Sequence, residues 1–362
     1  MLKNKKSDII VINMAYNVSR LVYSQIYEFK KYYNVHLIAT DTKENRKNLQ
    51  NKAHNICFVK VTKSKPINHI LYLKTIIKET KRIRPDLILV HIFKLSYILP
   101  LIMPRHNLVL KFYHFDVNKN FFKRVFGNIR RFITIMLYEH ISYEHDVIPR
   151  WILKIKKNIK YIPAGFNRLS DTHKNFKTIE LLYIGSLDRN INSTIKGFSQ
   201  FVNDHESLKG IKYHIIGDGS EEIKLNIRKE IKQKHLGNNI FYHGRLNDEE
   251  IVPFFDHCNI GVSFVPITSY YTNNIVTKTY EYLLSGMAVI GTATNANKKI
   301  INENNGILIQ DTPESFFQGL KTIFKDRDKF NSSEIRSHVE SLSNENVIKQ
   351  YWVNYLNTVI SS

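Results

Sequence analysis

The chain has 362 residues, enough for two domains of ordinary size, and 43% of them are hydrophobic, as in a globular protein. It has no apolar stretch of membrane-spanning length, no signal-peptide pattern at its start, and two cysteines, Cys57 and Cys258, without metal-ligand spacing. The net charge of +21 lies entirely in residues 1–163, which hold 31 Lys and Arg against 10 Asp and Glu, whereas residues 164–362 hold 22 of each. We therefore expect a cytoplasmic protein whose first half faces an anionic partner, either nucleic acid or a membrane surface.

The first half alternates predicted strands and helices. Strand-like apolar runs are DIIVIN, VHLIAT, DLILVHI and NLVLKFYHF, and a long basic, aromatic helix is predicted over 119–140. A short strand, IKYIPAG, then leads into a polar stretch without periodicity. The pattern predicts a Rossmann-like domain over 1–163 and a linker over 164–178.

The alternation restarts after the linker. ELLYIGS, IKYHIIGDG, NIFYHGR, IGVSFVP and MAVIGT are predicted strands, and helical segments separate them. Alternation of this kind is typical of parallel sheets covered on both faces. The predicted fold is therefore α/β, with two Rossmann-like, doubly wound domains facing a cleft. The second domain is expected over 179–345, and a C-terminal helix over 346–362 is expected to cross back to the first.

Glycine-containing turns follow three strands of the second half, and their residues are Gly185, Ser186, Gly217, Asp218, Gly219 and Gly244. Each turn alone is typical of an ordinary strand–helix connection. Three of them at the same end of one sheet favour a phosphate or base site, because glycine lets backbone N–H groups approach a ligand.

The segment TKTYEYLLSGMAVIGT adds a short helix at the same sheet end. Lys278 and Glu281 could form a solvated surface ion pair, with Thr277 capping the helix. The alternative, which we favour, is that Val276, Thr277 and Lys278 bind a diphosphate at the helix start. Glu281, one turn later, would then accept hydrogen bonds from a ribose diol.

These motifs resemble the donor domain of GT-B-fold glycosyltransferases, most closely glycosyltransferase family 4. IGSLDRN, IIGDG, HGRL, TKTYEYLLSGMAVIGT and NNGILI carry the resemblance over roughly 160–325, and KYIPAGFN resembles the family's inter-domain approach. The resemblance implies a nucleotide-diphosphate sugar as donor, with Glu281 on the ribose and the residues before it on the diphosphate. It implies no bound metal and no other cofactor.

Three features depart from the family pattern. Asn273 stands where the family often has a first glutamate, and Ser186 stands where an arginine is usual, with Arg189 as a looser substitute. The loop NMAYNVSR lacks the usual paired glycines.

Candidate catalytic residues in the first half are His114 and Asp116 in FYHFDV, after a predicted strand. His114 matches in position a histidine that family members carry facing the cleft. Its simpler interpretation is a strand-end histidine with no special role. His91 is a weaker candidate.

The predicted helix over 119–140 is both basic and aromatic, and its candidate membrane-binding residues are Lys119, Phe121, Phe122, Lys123, Arg124, Phe126, Arg130 and Arg131. Helices of this composition lie on anionic membranes. The alternative is an ordinary helix that buries its aromatic side chains.

The sequence therefore predicts a glycosyltransferase at the cytoplasmic face of the membrane, acting on a lipid-linked or cell-surface polysaccharide intermediate. Its expected partners are a nucleotide sugar, a glycan or lipid-linked acceptor and an anionic membrane, with no nucleic acid. The alternatives are a GT-B nucleotide-sugar epimerase, a basic nucleic-acid-binding module, and a degenerate transferase that serves as a partner subunit.

Overall fold

The computed structural model describes residues 6–116, 120–144, 148–205, 210–268, 271–272 and 276–362. The chain forms two compact units, one made of residues 1–165 and 344–362 and the other of residues 166–343. Lys119 and Asn273 lie outside the described residues.

The first unit is built on a seven-stranded, all-parallel sheet of order β3-β2-β1-β4-β5-β6-β7. Its strands are β1 (Asp8–Asn13), β2 (Asn34–Thr40), β3 (Asn55–Val59), β4 (Leu87–His91), β5 (Leu108–Phe112), β6 (His140–Tyr143) and β7 (Ile159–Tyr161). Its helices are α1 (Arg20–Phe29), α2 (Lys43–Leu49), α3 (Lys65–Ile83), α4 (Leu99–Ile102), α5 (Phe121–Leu137) and α6 (Arg150–Ile155). The predicted helix over 119–140 is thus shorter, and the sequence pattern missed β3 and β6.

The two faces of this sheet pack against separate hydrophobic clusters. Ile9 and Val11 of β1 belong to one cluster and Ile10 and Ile12 to the other, as expected because successive side chains of a strand point to opposite faces. The C-terminal segment packs against the first of these faces, where the fully buried Trp352 meets the ring of Phe29 edge to face at 5.8 Å.

The second unit is built on a six-stranded parallel sheet of order β10-β9-β8-β11-β12-β13. Its strands are β8 (Glu180–Ile184), β9 (Lys212–Ile216), β10 (Ile240–Gly244), β11 (Ile260–Ser263), β12 (Ala288–Thr292) and β13 (Gly306–Ile309). Its helices are α7 (Ile191–Asp204), α8 (Glu221–Gln233), α9 (Asp248–His257), α10 (Thr277–Leu284), α11 (Asn295–Lys298), α12 (Pro313–Lys325) and α13 (Ser332–Val339), and the C-terminal helices α14 (Asn344–Val347) and α15 (Val353–Ser361) belong to the first unit.

Two parallel sheets with interleaved helices confirm the predicted α/β fold of doubly wound, Rossmann-like sheets. In the second sheet the strand order reverses between β8 and β11, and ligands of such sheets bind at the carboxyl ends of the strands beside this reversal. Within the described residues, every helix is too short or too polar to cross a bilayer.

Candidate active site

The three glycine turns form one continuous edge of the second sheet. The Gly185 N–H donates to the Ile216 carbonyl at 3.0 Å, and the Gly217 N–H donates to the Gly244 carbonyl at 2.8 Å. A Cβ atom on Gly217 would lie 1.9 Å from the Gly185 carbonyl oxygen, so this turn requires glycine. The turns that follow β8, β9 and β10 are therefore held together at the carboxyl ends of neighbouring strands.

Two polar side chains of these turns interact with groups in their own turn or in the helix that follows it. The Ser186 hydroxyl donates to the Asp188 carboxylate at 3.0 Å. The Asp218 carboxylate accepts hydrogen bonds from Lys224 Nζ at 2.8 Å and from the Gly219 N–H at 2.9 Å, and these interactions, Lys224 first, lower its pKa. Ser186 and Asp218 thus fix the shape of the turns.

Helix α10 is anchored from both sides. The Tyr282 hydroxyl accepts the Ile184 N–H of β8 at 3.0 Å, and its ring lies against Gly261, where a Cβ would be 2.3 Å away. The Thr279 hydroxyl is 2.6 Å from Ser263 Oγ of β11. These contacts hold the start of α10 beside the carboxyl ends of β8 and β11.

The start of α10 has no capping side chain among the described residues. Its N-cap is Val276, which cannot cap through its side chain, and Thr277 is the first helical residue instead of the predicted cap. The first-turn N–H groups of a helix carry a partial positive charge and need acceptors. This helix start therefore suits an anionic ligand.

Lys278 is buried at this helix start, with 7% of its surface exposed. Its Nζ lies 3.8 Å from the centroid of the Tyr183 ring, and no described residue provides a hydrogen-bond partner for it. Burial, and secondly the neighbouring Arg189, hold the pKa of Lys278 well below its usual value. A buried ammonium without a counterion among the described residues is costly, so a negatively charged ligand would be favourable here.

Glu281, one turn after Lys278, is 3% exposed. The burial of both residues contradicts their interpretation as a solvated surface ion pair. Arg189 adds a second cation near the Gly185 turn, and its guanidinium lies 5.6 Å from the Tyr271 ring centroid. The structure thus places α10, which carries Lys278 and Glu281, beside the carboxyl end of β8, where the Gly185 turn begins.

Family models match both halves of the chain. One, described as Glycosyl transferases group 1, matches residues 178–326, and another, described as Glycosyl transferase 4-like, matches residues 12–134. The chain belongs to the group 1 GT-B glycosyltransferases. This confirms the resemblance inferred from the motifs and the predicted enzyme class.

Three solved structures share the fold of this transferase. A glycosyltransferase from Rickettsia africae is 15% identical with a TM-score of 0.73, covering 99% of this chain and 100% of its own. HepE from Anabaena, in complex with UDP and glucose, is 12% identical with a TM-score of 0.69, and the match covers 97% of this chain and 100% of HepE. The pneumococcal O-GlcNAc transferase GtfA, in complex with UDP and GlcNAc, is 11% identical with a TM-score of 0.68, covering 99% and 100%. No curated protein sequence matches the chain.

The candidate catalytic residues of the transferase follow β5 in the first unit. His114 is exposed, and its Nδ1 lies 2.7 Å from the Phe115 carbonyl oxygen. Asp116 is held against α5, because its backbone N–H donates to Asn128 and its carboxylate lies 4.0 Å from the Arg131 guanidinium. Asp116 and Arg131, predicted for catalysis and membrane binding, are thus placed as neighbours, and Arg131 is largely buried.

A buried polar cluster in the first unit was not predicted from the sequence, although His91, one of its members, was named as a weaker catalytic candidate. Lys111 of β5 donates to Gln25 at 2.6 Å and pairs with Glu144 at 2.7 Å, and the buried His91 hydrogen-bonds the Tyr113 hydroxyl. Burial, and secondly Lys111, lower the pKa of His91 well below its usual value. The available signal was a lysine inside the apolar strand LVLKF.

Helix α5 exposes an apolar stripe instead of burying it. Phe121, Phe122 and Phe126 are 60%, 70% and 69% exposed, and Ile129 is 50% exposed. Phe132 differs, because its ring packs against Trp151 at 5.6 Å. Core packing therefore does not account for the aromatic residues of the first half of this helix.

Proposed function

We propose that this transferase moves a sugar from a nucleotide-diphosphate sugar to an acceptor hydroxyl, and that the donor diphosphate binds at the start of α10. The observation that carries the proposal is the buried Lys278 ammonium, for which the described residues offer no hydrogen-bond partner. A diphosphate would supply the missing counter-charge. It would also accept hydrogen bonds from the first-turn amides of α10, which no described side chain caps.

The other proposed contacts with the donor involve residues at the same edge of the second sheet. Glu281 would accept hydrogen bonds from the ribose, and the backbone of the turns at Gly185, Gly217 and Gly244 would line the nucleotide. Arg189 would share the diphosphate charge with Lys278. Two solved relatives, HepE and GtfA, were determined in complex with UDP, which supports a nucleoside diphosphate as the product.

The transfer itself needs leaving-group stabilisation and an aligned acceptor. As the glycosidic bond to the donor breaks, negative charge develops on the diphosphate, where Lys278, Arg189 and the helix start would stabilise it. His114, the more accessible of the two candidates, would accept the proton of the acceptor hydroxyl. Asp116 would act indirectly, because its carboxylate lies beside Arg131. This scheme uses no metal ion and no other cofactor.

We further propose that the acceptor is a lipid-linked or cell-surface glycan intermediate, reached by binding of α5 to an anionic membrane at its cytoplasmic face. The exposed phenylalanines of α5 would enter the interface, and the exposed Lys123 and Arg124 beside them would contact acidic headgroups. The concentration of positive charge in residues 1–163 supports binding of this part of the chain to an anionic surface.

The donor site is tested by thermal stabilisation with UDP, GDP, dTDP, ADP and CMP. One diphosphate is expected to raise the melting temperature of the wild type. Glu281→Ala is expected to weaken binding of that nucleotide by about 1.5–3 kcal/mol, the usual loss for hydrogen bonds to a charged group. Failure of every nucleotide to shift the wild type would contradict the proposed site.

The membrane surface is tested by sedimentation with phosphatidylglycerol-containing vesicles at several salt concentrations. Glutamine substitutions of three basic residues of α5 should weaken binding by roughly 100-fold, at about 1 kcal/mol per charge. The matched control replaces three exposed lysines, two in the last turns of α8 and one directly after it. The substituted residues are Lys123, Arg124 and Arg130 in the test variant, and Lys229, Lys232 and Lys234 in the control. Equal vesicle binding by the two variants would remove α5 from the membrane contact.

A further inference from the structure

A second cluster of polar side chains lies at the opposite end of the second sheet from the donor site. Glu180 begins β8, His214 lies within β9, His257 ends α9, and Cys258 follows it. One potential ligand atom from each of the four lies within 4.8 Å of the corresponding atoms of the other three. Glu180 and Gly185 are five residues apart on one strand, so the cluster is about 16 Å from the glycine turns.

The cluster lies on the sheet face that α9 covers. Leu181, Tyr183, Tyr213 and Ile215 point into the hydrophobic core on the other face. Alternation along β8 and β9 therefore places Glu180 and His214 on the same, opposite face. Helix α9 carries His257 to this face, and its start is fixed by a capping box between Asn247 and Glu250.

His214 presents a nitrogen that needs a partner. The residue is 9% exposed, and its Nδ1 lies 3.0 Å from Nε2 of His243. Its Nε2 is buried, and none of the described residues forms a hydrogen bond with it. When Nδ1–H donates to His243, the Nε2 lone pair is available, which is the arrangement of metal-binding histidines with an outer hydrogen-bond partner.

The other three side chains supply complementary donors. Cys258 is fully buried, and among the described residues its thiol makes one weak contact, at 3.9 Å, with the Leu181 carbonyl oxygen. The Glu180 carboxylate is 3.2 Å from Lys212 Nζ, a partly exposed side chain that can turn to solvent. His257 is exposed and offers a route of entry. A thiolate, a carboxylate and two neutral imidazoles would balance the charge of a divalent cation.

We propose that Glu180, His214, His257 and Cys258 bind a structural Zn²⁺ ion. Zinc prefers four ligands of this nitrogen, sulfur and oxygen set in tetrahedral arrangement, and a site with four protein ligands leaves no open position for chemistry. The ion ties α9 to β8 and β9. Phe241 and Phe254 lie 5.2 and 5.3 Å from the His214 ring and form the apolar shell that such sites use.

Cobalt is the spectroscopic probe for this site. Protein without an affinity tag is stripped with a chelator under reducing conditions and titrated with Co²⁺, followed by Zn²⁺. The wild type should bind one equivalent of Co²⁺ with a thiolate-to-cobalt charge-transfer band, which Zn²⁺ then abolishes. Cys57→Ser should keep the band and Cys258→Ala should lose it. A wild type without this band, or a Cys258→Ala variant that retains it, would overturn the proposal.

A second pair of variants guards against misfolding of the buried-cysteine variant. His257→Gln changes an exposed ligand at the end of α9, and His173→Gln changes an exposed histidine outside the cluster. His257→Gln should weaken Zn²⁺ binding at least about tenfold, and the outer-partner variant His243→Phe should weaken it by about 10–100-fold. His173→Gln should bind Zn²⁺ like the wild type. Unchanged zinc affinity in His257→Gln would refute the ligand set.

Discussion

Replacing Lys278 with methionine should make the unliganded protein more stable and the donor site weaker. The Lys278 ammonium is 7% exposed, lies over the Tyr183 ring, and has no hydrogen-bond partner among the described residues. Methionine has a similar length and buries no charge, so it removes the desolvation cost and keeps the packing. Relief of an unsatisfied buried polar group is worth about 1–3 kcal/mol.

The expected change in melting temperature follows from the size of the second unit, residues 166–343. For a domain of this size each kcal/mol moves the melting temperature by about 2–4 °C. Lys278→Met should therefore melt roughly 2–12 °C above the wild type without ligand. Its affinity for the nucleoside diphosphate should fall by about 1.5–3 kcal/mol, roughly 10–150-fold, through loss of a charge-assisted contact.

The assay combines thermal melts without nucleotide and calorimetric titrations with the nucleoside diphosphate. Lys196→Met, an exposed substitution on α7, is the matched control and should change neither quantity. A Lys278→Met protein that melts below the wild type would show that the ammonium contributes to stability through the Tyr183 ring. Unchanged nucleotide affinity would show that the diphosphate binds elsewhere. Either result would refute the reasoning.

The buried Lys278 also determines how its contribution to the free energy of unfolding changes with pH. Burial lowers the pKa of Lys278 in the folded protein well below 10.5, its ordinary value, which the unfolded chain keeps. At pH values between the folded-state pKa and 10.5, the unfolded chain therefore holds a proton that the folded chain lacks. The contribution of Lys278 to the free energy of unfolding therefore rises with pH across that window. A bound diphosphate favours the charged form, so donor binding above the folded-state pKa should take up a proton. Titrations in buffers of different ionisation enthalpy measure this uptake, which Lys278→Met should reduce.

Two further substitutions test the edge and the acceptor side. Gly217→Ala would place a Cβ 1.9 Å from the Gly185 carbonyl oxygen, so it should destabilise the second unit by about 1–3 kcal/mol and weaken nucleotide binding. The control is Gly237→Ala, which has open space around it and should change neither stability nor affinity in the same melts and titrations. His114→Ala should lower kcat by about 10²–10⁴-fold and leave the nucleotide dissociation constant unchanged; equal turnover in a product assay would remove His114 as the base.

The sequence pattern predicted the fold because both halves repeat one physical unit. An apolar run, a glycine or polar turn and an amphipathic helix recur often enough to specify parallel sheets. Two of the strands it missed, β3 and β6, lack that pattern. In NICFV the first residue is exposed and the next three are only partly buried, and HISY is a four-residue strand immediately after α5.

Contacts between residues far apart in sequence could not be predicted in the same way. Asp116 and Arg131 meet because α5 packs so closely that a Cβ on Gly127 would lie 2.4 Å from the Asp116 carboxylate. The zinc ligands are similarly dispersed: Glu180, His214 and Cys258 lie on different elements, so the lack of metal-ligand spacing in the sequence did not exclude a cluster.

Comparison of three buried lysines shows that a missing hydrogen-bond partner, and not burial alone, points to a ligand-binding site. Lys111 pairs with Glu144 at 2.7 Å, and Lys174 donates to Ser170 Oγ and to the Asp256 carbonyl, both at 3.1 Å. In both cases other residues of the protein accept hydrogen bonds from the buried ammonium. Among the described residues only the third buried lysine, Lys278, has no hydrogen-bond acceptor. Its sequence setting, a lysine in an apolar segment, resembles that of Lys111. The difference is that, in the proposed donor site, a diphosphate would neutralise the charge of Lys278, so its free energy cost in the unliganded protein would become a contribution to donor binding.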